Sequence, residues 1–319
     1  MDPICHTLVG ASLGATGLEE KTRYGRATLI IAANLPDIDF VFYFWGDARS
    51  YAFRRGITHG IPALIVLPVM LALGMLILSR ISSTSRVGRE ASFRWLLLLS
   101  VIGVASHPAL DWLNNYGMRW LMPMVDKWFY GDTLFIADWI IWLALLAGLV
   151  AAHRIDGDLL RWFQKPACIS LAFIVTYISM NFAITQVAEQ VTREHSSDDP
   201  PLRLMASPVP LNPLEREMVL DYGTEYRFGA VSFSPYPRFE WDEARIPKGD
   251  PAVFERARQV REGRWFLHWA RFPYSDIEES GDKTTVRLAD ARYVRELDEP
   301  RLRSFGMITL EFNEEPTGL

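Results

Sequence analysis

The chain has 319 residues, 50% of them apolar, and a formal net charge of −5; that length suggests about two domains. Its apolar content, with 11 Trp, 11 Tyr and 18 Phe, excludes a disordered chain. The acidic balance, with no long basic run, excludes nucleic-acid binding driven by bulk charge. Two cysteines, Cys5 and Cys168, cannot build a disulfide framework or a cysteine-rich zinc site. Charge is unevenly spread: residues 1–199 carry 17 acidic and 16 basic side chains, and 200–319 carry 21 and 17 in far fewer positions. The composition therefore predicts an α-helical polytopic membrane domain over 1–190, a linker over 191–213 and a small soluble α+β domain over 214–319.

In chain order, Ile4–Leu18 is apolar and Gly/Ala-rich but too short to span. It lacks the basic start and cleavage site of a signal peptide and is expected to be mature structure. Ala27–Trp45 is a weak span, because it contains Pro36, Asp37 and Asp39. Ile61–Leu78 (18 residues) and Ala167–Ala188 (22 residues) carry no charge and suit a hydrocarbon core roughly 30 Å thick. Trp95–Leu113 holds His107 and Asp111, and Leu134–Ala152 is interrupted only by Asp138. Ionisable groups cost about 3 kcal/mol or more inside lipid and normally face a bundle interior or a polar cavity. Their presence here is the first functional clue.

Basic loops set the expected orientation. Arg80, Arg86, Arg89 and Arg94 stand against Glu90 alone, and Arg154, Arg161 and Lys165 follow on the same side, with Lys21, Arg23 and Arg26. These loops are expected in the cytoplasm. His6, Asp37, Asp39, His59, His107, Asp111, Asp132, Asp138 and the C-terminal domain are then expected on the opposite face, with Cys5 and Cys168 as free thiols.

After Asp198-Asp199-Pro200-Pro201, the stretches Tyr226–Phe233, Trp265–Phe272, Thr284–Leu288 and Gly306–Phe312 read as strands. Asp250-Pro251 reads as the cap and first turn of a helix over 251–262. The aromatics of this part read as core rather than a ligand cage, and no chemistry is evident in it. It is expected to cover the membrane site, bind a partner or stabilise the assembly.

Four separated stretches gather the chemistry: His6; Pro36-Asp37-Ile38-Asp39; Gly56-Ile57-Thr58-His59-Gly60; and Ser106-His107-Pro108-Ala109-Leu110-Asp111. His107 and Asp111 are four apart, so on a helix both project from one face with Cβ atoms roughly 6 Å apart, a spacing that suits one metal ion. Imidazole with carboxylate is a ligand set of zinc, and also of manganese or iron. Each residue has a bland reading too. His6 could be a hydrogen-bonded core residue, Asp37 and Asp39 a turn and a cap, His59 a cap, and His107–Asp111 a structural pair. Taken jointly, three of the six histidines at predicted span ends on one face, beside carboxylates, predict a shared metal site. Asp132 and Asp138 could add a ligand or a base, or cap the following helix. Arg54 and Arg55 could grip a substrate phosphate bidentately or meet lipid headgroups, and Asn114 could orient a substrate or end a helix.

The set His6, Pro36-Asp37-x-Asp39, Arg55-Gly56-Ile57-Thr58-His59 and His107-x-x-x-Asp111-x-x-Asn114 resembles the LexA-regulated, membrane-bound metal-dependent hydrolase family (YdjM-like). Asp126-Lys127-Trp128-Phe129-Tyr130-Gly131-Asp132 and Ala270-Arg271-Phe272-Pro273 resemble its longer branch, typified by YfhP. Relatives often carry His-Arg where this chain has Arg54-Arg55, so a ligand at position 54 is absent. The order His, Asp, His, His-x-x-x-Asp is also similar to zinc-dependent phospholipase C and the single-strand nucleases of its fold. That similarity implies one metal held by an acid of the 37/39 pair, His59, His107 and Asp111. A second ion would share Asp111 and use His6, with a backbone or N-terminal ligand. The later His…His-x-x-x-Glu trio is missing, so one or two divalent ions are expected, zinc first and manganese second. The resemblance, with a site expected at headgroup depth, implies a hydrolase of a small-molecule or lipid phosphoester, and whichever of Asp37 and Asp39 is not a firm ligand is expected to accept the water's proton. The alternative is a non-catalytic membrane protein with a structural or transported ion and a partner-binding tail.

Overall fold

The structure is a computed structural model that describes residues 1–82, 90–155, 165–280, 283–295 and 305–313. Arg86, Arg89 and Arg161 of the basic loops lie outside the described residues. Four apolar helical stretches precede a small sheet-rich region, as composition predicts: Gly25–Trp45, Ile61–Ile81, Phe93–Trp112 and Pro166–His195 are long and apolar enough to cross a membrane.

Helix α1 (Pro3–Leu13) starts because the Asp2 carboxylate accepts from Ile4 N and Cys5 N and Pro3 supplies the first turn. A π-helical turn (Gly14–Leu18) and a short 3-10 turn (Glu19–Lys21) lead to α2 (Gly25–Asn34). The chain then continues as a 3-10 helix over Leu35–Trp45, followed by α3 (Asp47–Phe53). Helices α4 (Ile61–Ile81) and α5 (Phe93–Trp112) carry Pro68 and Pro108 inside them without ending. The expected span from Leu134 begins later: α6 (Trp139–Arg154) has 16 residues, because Asp138 caps it. Helix α7 (Pro166–His195) runs 30 residues, about 45 Å at 1.5 Å per residue.

The chain folds into two compact units: Met1–Asp39, Arg55–Ile184 and Pro210–Pro213 form one, and Phe40–Arg54, Thr185–Val209 and Leu214–Leu319 the other. In the first, Cys5, Val9, Leu110, Ile141, Leu145 and Ile174 join α1, α5, α6 and α7 in one core. Backbones approach closely where side chains are smallest. A Cβ on Gly103 of α5 would collide with Ala32 Cβ of α2, and one on Gly10 of α1 would lie 2.8 Å from Leu29 O. This close packing brings the last turn of α2 against His107.

The second unit holds a sheet of order β1-β2-β3-β4 (Arg203–Val209, Asn212–Asp221, Glu225–Ser232, Arg238–Pro247) and a sheet of order β5-β6-β7 (Pro273–Ser280, Lys283–Asp290, Met307–Asn313). Pairings β2–β3, β3–β4, β5–β6 and β6–β7 are antiparallel. Met218, Leu220 and Val231 pack with Ala188 at the end of α7, while Val219, Phe228 and Met205 pack with Phe272 and Ala289. Residues 191–213, expected as a linker, hold the last turn of α7 and all of β1.

Trp265–Phe272 is not a strand. Arg261–Trp269 forms α9, in which Phe266 and Trp269, three apart, are fully buried, so the pattern was helical rather than alternating. Helix α8 (Pro251–Gln259) ends short of 262, because Val260 is extended and α9 restarts there. Residues 40–54 join this unit through Tyr51, which stacks on Trp269 at 4.4 Å and accepts from Gly306 N at 2.9 Å.

Candidate metal centre

Asp37, His59, His107 and Asp111 each present one ligand atom to a common point, and those atoms all lie within 4.8 Å of one another. His59 Nε2 is 3.1 Å from His107 Nε2, 3.9 Å from Asp37 Oδ1 and 3.5 Å from Asp111 Oδ2. His107 Nε2 is 3.8 Å from Asp37 Oδ1 and 3.6 Å from Asp111 Oδ2. A tetrahedral ion bound at 2.0–2.1 Å places its ligands about 3.3–3.4 Å apart. The five distances bracket that value, so the donor set fits a small divalent cation.

Three of the four, His107, His59 and Asp111, are aimed by named neighbours. His107 Nδ1 lies 2.6 Å from Ala33 O. A carbonyl only accepts, so the proton sits on Nδ1 and the Nε2 lone pair faces the cluster. His59 Nδ1 lies 2.9 Å from Thr58 Oγ1 and 3.3 Å from Asp39 Oδ2, which accepts from Arg55 N at 2.8 Å and Thr58 Oγ1 at 2.8 Å. Asp39 is thus a carboxylate behind a histidine rather than a member of the four. Burial disfavours charge on His59, but hydrogen bonds to Asp111 and Asp39 outweigh it and raise the pKa. The local field favours a positive charge at this point.

Asp111 is gripped by Arg55, whose Nε lies 2.9 Å from Oδ2 and whose Nη2 donates to Oδ1 at 3.2 Å. Arg55 Nη1 donates to Asn114 Oδ1 at 2.9 Å and to Gly117 O at 3.3 Å, and the guanidinium lies over Tyr116 at 4.7 Å. This arginine is 2% exposed and its described partners are all within the protein. Asn114 likewise anchors Arg55 and accepts from Tyr116 N. Arg54 stacks over Phe40 and Tyr43 at 5.5 and 5.1 Å. The loop around Arg55 is fixed by Arg119 N donating to Arg55 O at 2.9 Å, and by Gly60, where a Cβ would collide with Met122 O.

His6 stands beside the group. Its Nε2 is 3.2 Å from Asp111 Oδ1 and its ring stacks on His107 at 3.8 Å. Burial, and then the neighbouring His107, lower its pKa to about 3, so it is neutral at ordinary pH. The Met1 amine donates to the same Asp111 oxygen. Asp138 caps α6, accepting from Ile140 N at 3.0 Å and Ile141 N at 3.2 Å, and accepts from Tyr177 OH at 2.9 Å. Asp132, buried with φ 48°, is likewise outside the convergent four. Sequence reasoning missed Ala33, Thr58 and the gripping role of Arg55; a backbone carbonyl leaves no sequence signal.

A model of the family described as YdjM inner membrane protein matches residues 1–188. The uncharacterized protein YfhP of Bacillus subtilis (strain 168) is 26% identical over 161 residues, which are 47% of this chain and 45% of that protein. The chain thus spans about half the length of the curated relative it matches. No solved structure matches. With a matched span that covers the helical part and every residue of the cluster, the chain belongs to the YdjM inner membrane protein family.

Proposed function

We propose that this protein is a membrane-embedded, metal-dependent hydrolase of a phosphoester, with a lipid phosphoester as the substrate class. The observation that carries the reading is the convergence of two imidazole lone pairs and two carboxylates on one point. Four acceptors within 4.8 Å of one another repel unless a cation lies between them. A bound divalent ion, zinc or manganese, would supply an acidified water and polarise a phosphoryl oxygen. His107, oriented by Ala33, and His59, oriented by Thr58 and Asp39, would hold it with Asp111 and Asp37. Arg55 holds Asp111 in place. Asp37, whose side chain is 14% exposed while the other three are at 0%, takes the proton on its carboxylate oxygen. Of the pair 37/39 it is the one in the cluster. His6 and Asp111 offer the start of a second ion site.

The motif order shared with zinc-dependent phospholipase C supports phosphoester chemistry, and the position of the ligands at the ends of apolar helices supports a substrate drawn from the membrane. The basic loops favour a non-cytoplasmic metal site and C-terminal domain. The test is the purified chain freed of metal: phosphodiesterase or phosphatase activity on lipid substrates falls and returns with zinc or manganese. Undiminished turnover without metal, or in His107→Ala, rejects it.

A second reading has its own observation. Four protein ligands near a full tetrahedron resemble a structural site, so the ion could hold the bundle together or be transported, with the tail binding a partner. One tightly held ion per chain, with no turnover of any phosphoester, would select it.

A further inference from the structure

The end of the bundle remote from the metal centre carries two adjoining cavities of opposite character. An apolar groove of about 660 Å³ runs between α6 and α7, lined by Ala144, Gly148 and Ala151 on one side and Ile169 and Phe173 on the other. The helices touch where a Cβ on Gly148 would collide with Ser170 Oγ, and the small side chains around that contact leave the groove open. A second cavity, of about 290 Å³, is polar: Glu19, Glu20, Arg26, His153 and Lys165 line it. Ile155 and Pro166 line both, so the two cavities meet at these residues.

Length and position set the occupant. From Ala144 to Ile155 the groove follows α6 for about 16 Å at 1.5 Å per residue, close to one leaflet of a hydrocarbon core roughly 30 Å thick. The polar cavity lies beyond the far end of α1: from His6 the helix runs seven residues to Leu13, about 10 Å, before the π-helical turn and the bend at Gly17 that lead to Glu19. Helix α6 agrees, since its first turn meets Asp2 through Trp142 Nε1 at 3.1 Å and His153 closes its last turn. Charges in the polar cavity are mixed. Arg26 and Lys165 suit a phosphate, while Glu20 and Glu19, whose carboxylate lies 3.7 Å from Arg26 Nε, suit an ammonium.

We propose that these cavities hold one phospholipid with a zwitterionic, phosphoethanolamine-type headgroup, its acyl chain between α6 and α7. The phosphate meets Arg26 and Lys165, and the ammonium meets Glu19 and Glu20. This lipid is bound rather than turned over, because the metal ligands are a leaflet or more away.

The test is native mass spectrometry of the full chain released from detergent, titrated separately with phosphatidylethanolamine, phosphatidylcholine, phosphatidylglycerol and soluble glycerophosphoethanolamine. One phosphatidylethanolamine per chain is expected, retained about tenfold better than phosphatidylglycerol, with the soluble headgroup far weaker. Glu19→Gln is expected to erase the preference for ethanolamine, and Lys165→Gln to weaken all the phospholipids. Ala151→Phe, which fills the groove, should weaken phosphatidylethanolamine about tenfold and leave the soluble headgroup unchanged. Thermal unfolding in detergent controls for folding of each variant. Phosphatidylglycerol retained as well as phosphatidylethanolamine, soluble headgroup bound as tightly as lipid, or variants that match the parent would each overturn the proposal.

Discussion

The Nε2 atoms of His59 and His107 face each other at 3.1 Å, each on a ring whose Nδ1 is turned to an oxygen behind it, Asp39 for one and Ala33 for the other. Two lone pairs so placed are a binding arrangement for a cation. With an ion bound there, Asp39 would act on its affinity through His59. Removing such a partner typically weakens metal binding about 10–100-fold. Asp39→Asn should fall in that range by competition with a chelator of known affinity, whereas His107→Ala should lose the ion outright. Equal losses for the two would place Asp39 among the ligands.

The ligand residues were legible because ionised groups do not belong in apolar helices, and because His107 and Asp111 keep the spacing of one helical turn. Their division of labour was not. Asp37 and Asp39 are two apart with identical chemistry, and only the 3-10 course of Leu35–Trp45 separates them. Arg54 and Arg55 are adjacent, and the left-handed φ of 49° at Arg55 decides which one turns inward. Asp138 read equally as cap or ligand, until Tyr177, 39 residues away, supplied its second partner. Residues 40–54 read as part of the membrane half. Their packing through Tyr51 on Trp269 joins residues far apart in the chain and leaves no local pattern.

Arg55 and Asp111 form a buried pair, with side chains 3% and 0% exposed. Breaking a buried pair from one side costs about 3–5 kcal/mol when the surviving charge is left with no counterion; the Met1 amine still donates to Asp111, which sets that range as the upper bound here. Arg55→Met should destabilise the chain by that order in thermal unfolding. Part of the loss should return on adding zinc, which neutralises Asp111. Arg55→Lys should fall between, since an ammonium cannot reproduce the two-pronged fork. An unchanged melting point with a raised KM for a lipid phosphoester would return Arg55 to substrate binding.

Asp138→Ala separates a cap from a ligand. Loss of an N-cap costs about 1 kcal/mol, and loss of the Tyr177 hydrogen bond adds about as much again. The variant should melt earlier yet bind metal with unchanged stoichiometry. Lost metal at an unchanged melting point would make Asp138 a ligand.

Asp221 gives the sheet-rich unit an acid-sensitive joint. Burial pushes its pKa up, but hydrogen bonds from Lys248, Gly223 N and Arg203 outweigh burial and hold the carboxyl below the usual range. The folded pKa is thus depressed relative to an unfolded value of about 3.9. Stability from this group is fully present above that value and is lost as pH falls through the folded pKa. Asp221→Asn should cost roughly 2 kcal/mol at neutral pH, by the usual worth of charge-assisted hydrogen bonds. The gap between parent and variant should narrow below about pH 4. Unfolding of this unit, followed by tryptophan fluorescence at pH 7 and pH 3, reads both values. A constant gap at the two pH values would mean that Asp221 acts through packing rather than charge.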